Sequence, residues 1–149
     1  TIAQPEPAGV VAGASLTVAG NTYQVLTVDG TKTVAITGAD KKAAKVAIPQ
    51  TIQFNGELFT VTSIAANAFK NCKKLKTVVI PKTVTAIGKN AFSGAKNLKK
   101  ITIQGTAITS IGKNAFKNVN KKAVTKVPKS KKKAYKKLLK KAGYKGKVK

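Results

Sequence analysis

Apolar residues between Leu75 and Val127 recur in short alternating runs, not in one long periodic stripe. In LKTVVIP, which ends at Pro81, Val78 and Ile80 point one way while Thr77 and Val79 point the other. Leu98, Ile101 and Ile103 repeat the inward set. Each run is followed by a near copy of one hexapeptide. IAANAF stands at 64–69, and IGKNAF stands at 87–92 and again at 111–116. Aligning Phe69, Phe92 and Phe116 gives steps of 23 and 24, and the same steps link Ile64, Ile87 and Ile111, and Asn67, Asn90 and Asn114. Thr77, Lys100 and Val124 share that register, and so do Leu75 with Leu98 and Ile80 with Ile103 and Val127. A catalytic motif is needed once. A unit that completes its core by stacking on copies of itself is needed several times.

The spacing predicts the parts of each unit. The short strands pair in parallel from coil to coil, about 4.8 Å apart. Pro81 ends its strand, and Pro49 and Pro128 hold the matching places. A turn then carries one inward residue, Ile52, Val84 or Ile108. From the repeated Asn through Phe to the next Asn or Gly, a single helical turn is expected. Two residues after each Phe stand Asn71, Gly94 and Asn118. Asn and Gly exchange best where the backbone is left-handed, so positive φ is predicted there. Gly88 and Gly112 are expected to serve a similar turn, and Asn67, Asn90 and Asn114 to bond backbone groups within it.

Self-similarity at this period is the signature of a leucine-rich solenoid. The stretch IPKTVTAIGKNAFSGAKNLKKITI, from Ile80 to Ile103, resembles the BspA-type leucine-rich repeat family of bacterial surface proteins almost throughout. The first coil, from Ile48, fits when nine residues are inserted between Ile52 and Ser63; the third drops the Leu and runs into Lys126, Val127 and Pro128. The resemblance covers about 48–128. It implies an α+β solenoid: a right-handed leucine-rich repeat with a short parallel sheet, an N-terminal β-meander cap and a C-terminal helical cap. It also implies a secreted or cell-surface recognition or adhesion module, since relatives bind host extracellular proteins.

Both ends read as closing segments, which a solenoid needs. SLTV, TYQVLTV and TVAIT have strand composition, with turns expected at Gly20-Asn21 and Asp29-Gly30; FNGELF adds a hairpin turning at Asn55-Gly56. At the other end Ser130 is the expected N-cap of a helix over 131–142, with Gly143 just past it. Ala134, Leu138, Leu139 and Ala142 form its apolar stripe, with Tyr135 at the edge. The stripe is expected to dock on the last coil in preference to lying on a membrane. The chain thus divides into a linker at 1–12, a β cap at 13–47, three coils at 48–128, and a lysine-rich helix and tail at 129–149.

Composition changes this picture in two ways. The chain has 29 basic residues, all lysine, against four acids, Glu6, Asp29, Asp40 and Glu57. Residues 1–57 hold four of each and balance, so the net +25 sits entirely in 58–149. Such a field draws anionic partners, though it is equally read as solubility alone. The other change is an exclusion. With no histidine, one cysteine and four scattered acids, the chain offers no catalytic constellation, metal site or cofactor motif. Cys72 aligns with Ala95 and Val119, a small core position. No apolar run is long enough to span a bilayer.

Binding remains. The outward strand residues Lys45, Ala47, Thr77, Val79, Lys100, Thr102, Gln104, Val124 and Lys126 form the candidate concave face. That set has no aromatic platform and no arginine, which argues against specific nucleic-acid recognition. The candidate partner is a protein or glycan on a surface. A second candidate patch, Lys131, Lys132, Lys133, Lys136, Lys137, Lys140 and Lys141, would instead attach the chain to anionic cell-wall polymers.

Overall fold

The computed structural model describes residues 11–40 and 42–149. The linker expected at 1–12 therefore lies outside the described residues, apart from Val11 and Ala12. The described chain begins with an antiparallel meander, β1 (Ser15–Val18), β2 (Asn21–Thr27) and β3 (Thr33–Gly38). Its first turn falls one residue earlier than expected. Val18 pairs with Asn21, and the two central residues are Ala19 (φ 51°) and Gly20 (φ 85°). A two-residue hairpin of this type needs positive φ at both central positions, and Asn21 is already in β2. β4 (Lys45–Ala47) follows, then the hairpin of β5 (Thr51–Phe54) and β6 (Glu57–Ile64). Here the expected Asn55-Gly56 turn forms, with φ of 53° and 79°. β3 pairs in parallel with β6, which ties the meander to the repeats.

From there the chain shuttles between two sheets. β7 (Thr77–Ile80), β9 (Lys100–Ile103) and β11 (Val124–Lys126) join β4 in one parallel sheet. β8 (Ala86–Ile87) and β10 (Ser110–Ile111) extend the other from β6. Thr77 lies beside Lys100 and Lys100 beside Val124, the steps of 23 and 24 read from the sequence. Lys45 lies beside Thr77, a step of 32, which is 23 plus the nine residues of the inserted hairpin.

The core lies between the sheets. Val78, Ile80, Leu98, Ile101, Val84 and Ile108 are buried as the alternation requires, as is Cys72. Phe69, Phe92 and Phe116 stack face to face, with centroids 5.0 and 5.1 Å apart and planes within 12°. That separation is close to one strand spacing, so each coil places its ring on the last.

Around each Phe a hydrogen-bonded turn forms but no helix: Lys70 N–H donates to Asn67 O, Ser93 N–H to Asn90 O and Lys117 N–H to Asn114 O. Asn67, Asn90 and Asn114 have φ of 63°, 57° and 60°, and Asn71, Gly94 and Asn118 have φ of 59°, 81° and 62°. The second set is as predicted. The first set breaks the helix, because a left-handed residue at its start lets the backbone amides turn toward the next coil. Phe69 N–H donates to Ala91 O, and Phe92 N–H to Ala115 O, at 2.7 Å each. Gly88 and Gly112 also differ from expectation, since neither has positive φ. A Cβ at Gly88 would lie 2.5 Å from Ala66 N, and one at Gly112 would strike the backbone of Gly88 and Lys89. They are glycines because neighbouring coils touch there.

The helix, α1 (Lys132–Lys141), is preceded by a 3-10 turn at Lys129–Lys131. Its N-cap is Lys131, not Ser130, and no side chain caps it. At its other end Gly143 (φ 89°) closes a Schellman motif: Tyr144 N–H donates to Leu139 O and Gly143 N–H to Lys140 O. The buried stripe is Tyr135, Leu139 and Ala142, with Leu138 half-buried and Ala134 exposed. Tyr135 sits at its centre because its hydroxyl has backbone partners there. It accepts from Ile108 N–H at 3.1 Å and donates to Gly105 O at 2.9 Å. The apolar side of α1 is therefore packed on the coils.

Beyond Tyr144 the chain adds a fifth strand, β12 (Lys147–Val148), beside β11. Val124 lies beside Lys147, a further step of 23. Phe116 N–H donates to Ala142 O, the place Ala91 and Ala115 hold for the earlier rings. Tyr144 then meets Phe116 edge-on, at 6.1 Å and 74°, and ends the stack. The segment from α1 to β12 thus follows the coil register with a helix in place of the turns.

Candidate functional site

The pleat of the five-stranded sheet sorts its side chains, and parallel pairing stacks those that face outward. Lys45, Thr77, Lys100 and Val124 stand in one row across four strands. Ala47, Val79, Thr102 and Lys126 stand in the next. Gln104 follows the end of β9 and is exposed. Eight of the nine residues of the expected face are therefore brought to one side of one sheet. Lysines 45, 100 and 126 are exposed, and the Thr and Val positions are half-buried. The row residues between lysines are small, so the face is open and its cations stand apart.

Two residues missed in the sequence extend these rows. β12 places Lys147 beside Val124, and Lys149 N–H donates to Thr125 O, which sets Lys149 next to Lys126. The available signal was the 23-residue step from Val124, but KVK shows too little alternation to read as a strand. β12 is held by Tyr144, whose hydroxyl is within hydrogen-bond distance of Ala123 O (3.0 Å) and Lys147 O (2.6 Å). Burial pushes the Tyr144 phenol above its ordinary range, and Thr125 beside it opposes the shift more weakly.

The second expected set lies on α1 and the turn before it. Lys132, Lys133, Lys136, Lys137, Lys140 and Lys141 are exposed, and Lys131 is half-buried. No acid stands in the first turn of α1, so nothing there offsets these cations against the helix dipole. Lys136 and Lys140, with Lys145, border a depression of about 490 Å3 floored by Tyr144 and Val148. The remaining helix lysines do not line it. Among the described residues no group of three or more His, Cys, Asp or Glu could hold a metal ion, and no helix is long and apolar enough to cross a membrane.

Comparison with known proteins agrees with this architecture. The sequence pattern described as BspA type leucine rich repeat region (6 copies) matches residues 45–143. The chain belongs to that family, whose repeats are typically protein-binding modules rather than enzymes. A leucine rich cell surface protein from Faecalibacterium prausnitzii A2-165 is 25% identical, with a TM-score of 0.62 over 78% of this chain and 37% of the other. A leucine-rich repeat protein from Bacteroides ovatus ATCC 8483 is 23% identical, with a TM-score of 0.56 over 77% and 38%. One from Bacteroides capillosus ATCC 29799 is 24% identical, with a TM-score of 0.55 over 78% and 83%. The chain spans well under half the length of the first two. No curated protein is significantly similar to it in sequence.

Proposed function

We propose that this chain is a non-enzymatic recognition and adhesion module, secreted or held at a bacterial cell surface, that binds a protein partner on the outward face of its parallel sheet. The observation that carries this reading is the stacking of eight of the nine candidate residues into two in-register rows, with Gln104 just past the end of β9. A shaped, pre-formed face of small polar and apolar side chains suits an extended partner. The cell-surface assignment is supported by the Faecalibacterium relative, which is a cell surface protein. In the same reading the stack is a right-handed solenoid, concave on this side. The meander at 13–47 and the helix and tail at 129–149 act as its caps around coils at 48–128, with 1–12 a linker. The pairing of β3 with β6 and the bonds of Tyr135 support the caps.

The test is capture of host extracellular proteins on immobilised chain, compared with a Thr77→Tyr/Val79→Tyr variant that fills the centre of the face. Recognition predicts capture at physiological salt that the variant abolishes. A second reading rests on the exposed lysines of α1: attachment to anionic cell-wall polymer or an acidic glycan. It predicts binding that the face variant retains, and that moderate salt or Lys→Gln changes at 131–133, 136–137 and 140–141 remove.

A further inference from the structure

The lysines do not surround the chain evenly at the C-terminal end of the sheet. A depression of about 650 Å3 opens on the outward side of β9 and β11, rimmed by Lys99, Lys100, Lys126, Lys129 and Lys149, with Val124 in its lining. All five lysines are exposed, and Val124 is half-buried. A second depression of about 650 Å3 adjoins it and shares Lys99, adding Lys96, Lys121 and Lys122 from the loops before β9 and β11. The first is the trough beside the sheet. It is wholly cationic, because every acid of the chain lies at or before Glu57. Among the described residues the one ion pair, Lys32 with Glu57 at 3.2 Å, is in the N-terminal part. No acidic side chain lines the trough, and its ammonium groups repel one another.

We propose that this trough binds an extended acidic peptide segment, with carboxylates on the lysine rim and an apolar side chain over Val124. The inference rests on the recognition reading above and names the chemistry of the partner. Two features favour a peptide over an anionic polymer. Val124 and the aliphatic stems of the lysines give the trough an apolar floor, which a phosphate or sulfate polymer would leave uncovered. The rim has no aromatic ring on which a sugar or base would stack. Lys126 and Lys149, side by side on neighbouring strands, stand about 4.8 Å apart, and carboxylates two residues apart on an extended chain about 6.7 Å, so flexible ammonium groups reach both.

The experiment measures binding of a labelled acidic peptide with a central leucine, by fluorescence anisotropy at low and physiological salt. Two triple variants remove equal charge: Lys99→Gln/Lys126→Gln/Lys149→Gln in the trough, and Lys136→Gln/Lys140→Gln/Lys141→Gln on α1. All six side chains are exposed, and circular dichroism checks that both variants fold. The trough variant is expected to lose at least about tenfold in affinity and the helix variant less than about threefold. Replacing the peptide's leucine by serine, or Val124 by Thr, is expected to weaken binding severalfold. Equal losses in the two triples would mean a diffuse field and overturn the proposal. Tighter binding of poly(glycerol phosphate), lost in the trough variant and indifferent to Val124→Thr, would assign the trough to a polymer and also overturn it. The recognition reading fails separately. It falls if Thr77→Tyr/Val79→Tyr, which lies outside the trough, leaves capture of extracellular proteins intact.

Discussion

Single residues in this chain are chosen by what the adjoining coil leaves free. Asn118 and Gly88 illustrate two different constraints. Asn118 is exposed with φ 62°, so its constraint is its own backbone. Asn118→Ala is expected to lose about 1–2 kcal/mol, and Asn118→Gly close to nothing, in urea denaturation. Gly88 has ordinary φ but no room, since its Cβ would meet the backbone of Ala65 and Ala66. Gly88→Ala is expected to lose about 3 kcal/mol, because backbone cannot step aside as a side chain can. Tyr144 provides a third case, through its proton. Burial raises its phenol, so the unfolded chain gives up this proton first as pH rises. Its contribution to stability is full below the ordinary tyrosine value near 10 and is lost as pH climbs through the raised one. Tyr144→Phe is expected to flatten the alkaline fall in melting temperature relative to the parent chain, and an unchanged slope would show that Tyr144 does not drive it.

At the scale of elements, the structure depends on β12 more than its length suggests. Lys147 N–H donates to Ala123 O, Lys149 N–H to Thr125 O, and Val127 N–H to Lys149 O. Ending the chain after Tyr144 would remove these bonds and leave β11 as a bare edge. Hydrogen exchange is expected to show lost protection at Val127, while Val124, whose N–H donates to Lys99 O, and 77–80 stay protected, since β7 keeps both neighbours. This strand also marks where the sequence stopped being legible. The inner strands could be read because Val78, Ile80, Ile101 and Ile103 alternate and repeat. Lys147–Val148 has one apolar residue between lysines, and only its offset from Val124 betrays it. The helix could be placed but not rotated correctly. Ala134 and Tyr135 lie about 100° apart around the helix, and the bonds from Tyr135 to Gly105 and Ile108 decide which faces inward. The candidate face followed from alternation alone. The trough did not, because Lys99 lies in a loop, Lys129 in the 3-10 turn before α1, and Lys149 depends on β12.

Over the whole molecule, charge acts against the fold that the repeats build. The stacked rings and buried aliphatic residues form one continuous core from Leu16 to Tyr144. Around it, 29 lysines face four acids, and one ion pair is formed among the described residues. The chain therefore gains little from pairing, and self-repulsion works on the folded state, where the lysines are held closest. Spacing along the rows limits that repulsion. Lys45, Lys100 and Lys147 alternate with Thr77 and Val124, so cations in that row stand two strands, about 9.6 Å, apart. That distance is near the Debye length at about 0.1 M salt, so modest screening removes most of what remains. Melting temperature is accordingly expected to rise as sodium chloride increases from the low millimolar range to physiological strength, and to level off beyond it. An anionic partner seated on the lysines would raise it further at fixed salt, by relieving the same repulsion. A melting temperature insensitive to salt would mean that the lysines are already too far apart to interact, and that a partner gains nothing from the chain's own strain.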